Sequence, residues 1–329
     1  MARLQLSIAL SDHPVTRALK DGTVRIDGVD AEFVEVQPQI AAYRRMIRNQ
    51  AYDVCELAAT SYTIARSFGY PLVALPVFVH RAFHHGALLM RPDAGIRHPR
   101  DLEGRRVGVR AYSVTTGVWV RGILDEVYHV DNDNVTWVVD DEEHVVELAL
   151  PGNVVHAPAG QSLAGMMAGG ELHAGLAGAA GIGRTGSPEQ GWNAQAASEA
   201  TDYVPLIADA AQQERDWYGR TQIYPLHGVV VLKERLVHEQ PWVATALAEA
   251  FQAAKAHWQA QWLAGTGDSA RNRTYSGLAE IVGADPLPFG IERNRPSIDA
   301  LQRMALRQGL LRAEVPLRDL FVPVHSALF

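Results

Sequence analysis

Short apolar runs alternate with helix-like stretches from one end of this chain to the other, and the connections between them are brief and polar. That alternation admits few architectures, because parallel strands need a crossover of a dozen or more residues and the intervening helices supply it. Leu4 to Leu10, Ala31 to Val36, Tyr52 to Ala59, Val73 to Val79, Ala87 to Met90, Val107 to Val109, Asn134 to Val139, Leu172 to Ala180 and Ile223 to Lys233 read as strands. Ile40 to Asn49, Val118 to Tyr128, Ser162 to Gly169, Pro241 to about Trp262 and Ile298 to Gln308 read as helices, with Gly309 as a stop signal. No internal repeat, low-complexity tract or linker divides the sequence. The expected class is therefore α/β with mostly parallel sheets.

At 329 residues the chain is long enough for one large or two modest domains, and a chain of that size buries about 75% of its unfolded surface without disulfide or metal staples. A formal charge of -7 with no lysine or arginine tract argues against a nucleic-acid partner, since that affinity comes from neutralising phosphates. No apolar run approaches the roughly 18 residues of a membrane helix. The opening Met1 to Leu10 leads straight to Asp12 and His13 without a signal-like segment, so the expected compartment is the cytoplasm. Cys55 is the only cysteine and lies in an apolar run, which rules out a disulfide framework and suits an inert buried thiol.

Candidate chemistry collects at strand ends. The stretch His80-Arg81-Ala82-Phe83-His84-His85-Gly86 follows a strand-like run and can bind an anion or move a proton. Asp12 and His13 end the first strand, Glu56 is an acid embedded in an apolar run, and Ser61 sits where a helix begins. Arg110 to Gly117 has the order strand, hydroxyl-rich loop, helix, in which Tyr112, Ser113, Thr115 and Thr116 serve either an anion or the helix cap. His227 stands in an apolar stretch, as a core histidine or a site residue. Asp140-Asp141-Glu142-Glu143 reads as a solvated loop. The glycines Gly181, Gly183 and Gly186 have dinucleotide-fingerprint spacing, yet Ser187-Pro188 follows where an amphipathic helix should open, so that reading is rejected. Asn134-Val135-Thr136 and Asn272-Arg273-Thr274 match the glycosylation pattern, without meaning in a cytoplasmic chain.

Tyr52-Asp53-Val54-Cys55-Glu56, Phe78 to Gly86, Val107 to Tyr112, Thr116 to Gly122 and Pro225 to Val231 together resemble the 4,5-dihydroxyphthalate decarboxylase family. Arg293-Asn294-Arg295 and Gln308-Gly309-Leu310 continue the likeness. The resemblance implies a two-lobed type 2 periplasmic-binding-protein-like fold turned to catalysis, each lobe a mixed, mostly parallel sheet flanked by helices. Residues 1–85 and 222–329 would form lobe one and 86–221 lobe two, with a ligand cleft between them. Asp12, His13, Glu56, Ser61, Arg81, His84 and His85 would face it from one side, and Arg110, Tyr112, Ser113, Thr115 and Thr116 from the other.

The reaction so implied is non-oxidative decarboxylation of a hydroxylated aromatic acid, with 4,5-dihydroxyphthalate giving protocatechuate as the leading case. Arg81 and Arg110 would hold carboxylates, and His227 would join the substrate-binding set. His84 or His85 would protonate the ring carbon, with Asp12, His13 or Glu56 orienting a phenol. No cofactor is expected. A divalent metal held by His13, Glu56, His84 and His85 is the alternative route. The expected partner is a small aromatic carboxylate, with no nucleic acid and no membrane, and a homo-oligomer is left open. The rival from another class is a cytoplasmic binding protein that recognises such a ligand without chemistry.

Overall fold

Strand Val54–Ala58 is buried at every position, as its unbroken apolar run requires of a central strand. In the computed structural model, which describes residues 3–194, 202–267 and 269–324, it lies in the sheet of the first of two units. This unit comprises Met1–Ala82, Thr221–Asp299 and Val315–Phe329. Its sheet runs Val29–Phe33, Leu4–Ala9, Val54–Ala58, Leu226–Lys233, Leu72–Ala74. The first three are mutually parallel neighbours, and Leu226–Lys233 is antiparallel to both of its own. The expected run through Val73 to Val79 is shorter as regular strand, because Pro76 has no N–H for the ladder. The chain rejoins the sheet at His80–Arg81, which pairs with Leu226–Lys233.

Helix Trp242–Leu263 covers one face of that sheet, starting one residue after Pro241. Val243, Leu247 and Phe251 join Leu6, Ile8, Val54 and Val230 in one core, each such side chain contributing about 1.5–3 kcal/mol on burial.

The second unit comprises Phe83–Arg220 and Ala300–Glu314. Its sheet runs Val204–Pro205, Leu88–Met90, Ala174–Leu176, Arg106–Gly108, Thr136–Val139, Val154–His156, parallel on the Arg106–Gly108 side and antiparallel across Leu88–Met90. Val138, Leu163, Met166, Leu172 and Ile182 make its core. Both sheets are thus mixed.

Residues 300–314 fall in this unit, although the family resemblance implied that they belong to lobe one. The cause is packing: Met304 lies where a side chain on Gly122 would be, Arg303 pairs with Glu126 at 3.0 Å, and Gln308 donates to the Val118 carbonyl at 2.9 Å. Helix Ile291–Arg307 begins earlier than expected and carries Pro296 inside it. The Asn294 amide donates to the Pro288 and Gly290 carbonyls at 2.9 and 2.7 Å and so ties its first turn. Gly186 opens no helix, since Thr185–Ser187 pairs as a strand with Gln190–Asn193. No helix of the described residues is long and apolar enough to cross a membrane.

Candidate functional site

Two adjacent parallel strands, Leu4–Ala9 and Val54–Ala58, bring their carboxyl ends together, and the register Ala9 opposite Cys55 sets Glu56 beside the Ser11 to His13 turn. Glu56 is 1% exposed, so its charge needs partners. It accepts the Ser11 backbone N–H at 3.0 Å, the Tyr43 hydroxyl at 2.9 Å, and a contact from His13 Nε2 at 3.0 Å. Burial alone would push this carboxyl up, but the His13 charge and the hydrogen bonds from His13 and Ser11 outweigh it and bring it to about 2. The Tyr43 phenol is held well above its ordinary range, by burial first and then by the Glu56 charge, so it stays a neutral donor.

His13 is presented by the turn ahead of helix Pro14–Lys20, where its backbone N–H donates to Thr16 Oγ1 at 2.9 Å. Its ring is half-buried and stacks on His80 with centroids 5.5 Å apart. His80 in turn meets His227 at 4.6 Å. Burial first, then the His13 charge, lowers His80 to about 4, so this middle ring is neutral at pH 7. The result is three imidazoles in file with a buried carboxylate anchoring one end.

Other expected residues of this unit do not join them. Arg81 is 2% exposed and turned inward. Its guanidinium donates to Asn294 Oδ1, to the Tyr224 carbonyl and to Ser297 Oγ, and lies 4.1 Å from the Tyr224 ring centre. These contacts brace it within its own unit. Asp12 is exposed and takes Arg17 at 2.8 and 3.1 Å and Arg271 at 3.3 Å; the Arg17 hydrogen bond is the main cause that brings its carboxyl to about 2. Ser61 is buried inside helix Ala59–Ser67.

In the second unit, the loop expected to cradle a ligand anion is filled by the protein itself. Glu143 accepts the Tyr112 N–H at 2.6 Å, the Ser113 N–H at 3.2 Å and the Ser113 hydroxyl. Asp141 takes Arg110 at 2.8 Å, both side chains being buried, and Asp140 takes Arg184 and the Leu163 N–H. Asp140, Asp141 and Glu143 are therefore internal counter-charges and not part of a solvated loop, while Glu142 between them is exposed. Thr115 opens helix Thr115–Tyr128 and is buried there, with Thr116 half-buried beside it.

His84 and His85 are both buried, at 6% and 2% exposure. The Nδ1 of His85 lies 3.9 Å from Glu214 Oε1, and its ring meets Trp217 edge-on at 5.3 Å. Burial, then the Arg220 charge, lowers His85 to about 4. Glu214 goes the other way, pushed up by burial to about 7 against a hydrogen bond from the His85 backbone. Of the four residues considered as metal ligands, His13 and Glu56 are in the first unit and His84 and His85 in the second. Among the described residues no three His, Cys, Asp or Glu side chains are grouped to hold a metal ion.

Tyr43, Ser11, His80, Glu143 and Glu214 were not singled out from sequence for these contacts. Only His80 carried a signal, its place at the head of the histidine cluster.

Residues 13–257 match the family described as ABC transporter, phosphonate, periplasmic substrate-binding protein. A 4,5-dihydroxyphthalate decarboxylase from Comamonas testosteroni is 31% identical over 347 residues, covering 100% of this chain and 99% of that one. A 4,5-dihydroxyphthalate decarboxylase from Pseudomonas putida is 41% identical over 182 residues, 53% of this chain and 70% of that one. Among solved structures, the periplasmic aliphatic sulphonate binding protein of Escherichia coli superposes with a TM-score of 0.56 at 13% identity, over 99% of this chain and 94% of that one. At that identity the likeness shows the fold, the two-lobed α/β fold of periplasmic binding proteins, and no more. The chain belongs to the 4,5-dihydroxyphthalate decarboxylase family, built on the periplasmic substrate-binding fold.

Proposed function

We propose that this protein decarboxylates a hydroxylated aromatic acid without oxidation, with 4,5-dihydroxyphthalate giving protocatechuate as the leading case. By family it is an enzyme, a carboxy-lyase. The observation that carries the proposal is the buried Glu56 carboxylate holding His13 at 3.0 Å.

The chemistry asks for two proton movements. A phenol para to the departing carboxylate must give up its proton so that the ring can push electrons towards the carbon bearing that carboxylate. That carbon must then gain a proton, after which its bond to the carboxylate breaks and carbon dioxide leaves. His13 suits the first step, because the imidazolium formed when it takes the phenolic proton is stabilised by the anionic Glu56. Tyr43 keeps that carboxylate in place.

For the second step, burial keeps the His85 ring neutral at pH 7. His84 and His227 are then the remaining candidates, and we place the proton donor at His227 on position alone, because it ends the file that begins at His13. The net proton consumed comes from solvent. Positioned transfer of this kind contributes roughly 10²- to 10⁴-fold.

The test is incubation of the purified protein with 4,5-dihydroxyphthalate, following carbon dioxide and protocatechuate, for wild type, His13→Ala and His227→Gln. Product from wild type and its loss in both variants is expected. Tight binding without product would favour a binding protein and overturn the proposal. Undiminished turnover in His227→Gln would overturn the donor assignment.

A further inference from the structure

Gly228 occupies the middle of the unit-one sheet, opposite Ala58 on one side and His80 on the other. It does not have the positive φ that reserves other positions of this chain for glycine. Backbone conformation therefore does not explain it, and in a strand interior glycine normally weakens the element.

The surroundings do explain it. A Cβ at Gly228 would lie 2.8 Å from Glu56 Oε1, 3.2 Å from Val79 Cγ2 and 3.3 Å from His80 Cβ. The carboxylate is the far end of a side chain and would ordinarily swing aside. Here it cannot do so without loss, because Oε1 accepts the Tyr43 hydroxyl at 2.9 Å and meets His13 Nε2 at 3.0 Å. Val79 and His80 belong to a backbone tied to the same strand, with the Val79 N–H donating to the Gly228 carbonyl at 3.1 Å.

We propose that Gly228 is a positioning residue: its missing side chain keeps open the space in which Glu56 engages His13 and Tyr43. The role in turnover rests on the decarboxylation reading above, whereas the role in placing Glu56 does not. A methyl group at this position displaces the carboxylate, lengthens its contact with His13, and presses on the neighbouring His80.

The experiment is a four-protein cycle of full-length wild type, Gly228→Ala, Glu56→Ala and the double variant, read by urea midpoint and by turnover of 4,5-dihydroxyphthalate. Gly228→Ala is expected to lower the midpoint in the wild-type background and to leave it unchanged or raised in the Glu56→Ala background, where the carboxylate is gone. In turnover, Gly228→Ala is expected to lower kcat by roughly tenfold to a hundredfold with KM nearly unchanged, the signature of a misplaced catalytic group. An equal midpoint loss in both backgrounds would overturn the inference, as would a Gly228→Ala enzyme with wild-type kcat. If wild type turns over no such substrate, the functional reading fails while the midpoint cycle still decides the role of Gly228.

Discussion

Glu56→Gln isolates the charge of the buried carboxylate while keeping its shape, and its consequence can be worked from the contacts. The carboxylate takes the Ser11 N–H, the Tyr43 hydroxyl and His13 on its two oxygens. A glutamine offers one oxygen and turns an NH₂ towards at least one of those donors, leaving a buried group unmatched at about 1–3 kcal/mol. An independent measure comes from protonation: the carboxyl sits at about 2 in the folded protein against an ordinary 4.5, which at 1.36 kcal/mol per pH unit is about 3 kcal/mol of stability. The sign follows from the lowered value. The contribution is fully present above 4.5 and is lost as pH falls through 2. Urea unfolding of wild type and Glu56→Gln at pH 7, 5 and 3, followed by tryptophan fluorescence and far-UV circular dichroism, should show a gap near 3 kcal/mol at pH 7 that narrows to about 1 kcal/mol at pH 3. Two probes are needed because the two units need not unfold together. A gap that stays constant over that range, or no gap at pH 7, would refute the argument that an ionised Glu56 is held by these donors.

Three further outcomes follow from the same geometry. Arg81→Met should lower Tm and cost about 3 kcal/mol, since it strips donors from Asn294 and the Tyr224 carbonyl; a raised KM with unchanged Tm would restore Arg81 to the substrate. Glu214→Gln should raise Tm at pH 8 and leave it unchanged at pH 4: burial lifts this carboxyl to about 7, so its charged form opposes folding above that value and the cost vanishes below 4.5. On the metal-free route proposed above, dialysis against a chelator should leave turnover intact; loss on chelation and recovery with one added divalent metal would instead favour the route through His13, Glu56, His84 and His85.

The strands and the α/β class were legible because burial leaves a direct mark on sequence, as in the wholly buried Val54–Ala58. Strand ends were legible too, which is why His13 and Glu56 could both be named. Their adjacency was not, because it depends on which strands pair: the parallel register of Ile8 with Val54 brings together His13 and Glu56, 43 positions apart. Tyr43 comes from helix Gln39–Asn49, whose arginine-rich surface masks the hydroxyl that it aims at Glu56. The histidine cluster straddles a unit boundary at Ala82, with His80 and Arg81 in one unit and His84 and His85 in the other. The Tyr112–Ser113 loop carries a broader lesson. Its amides and hydroxyl do form an anion cradle, as the strand, hydroxyl-rich loop and helix order implied, but the anion is Glu143 from the same chain. A like-charged run such as Asp140 to Glu143 reads as solvated only while its counter-charges are out of sight. Here Arg110, Arg184 and the loop amides absorb it, so pattern located the donors, and only the tertiary structure could say whose carboxylates they serve.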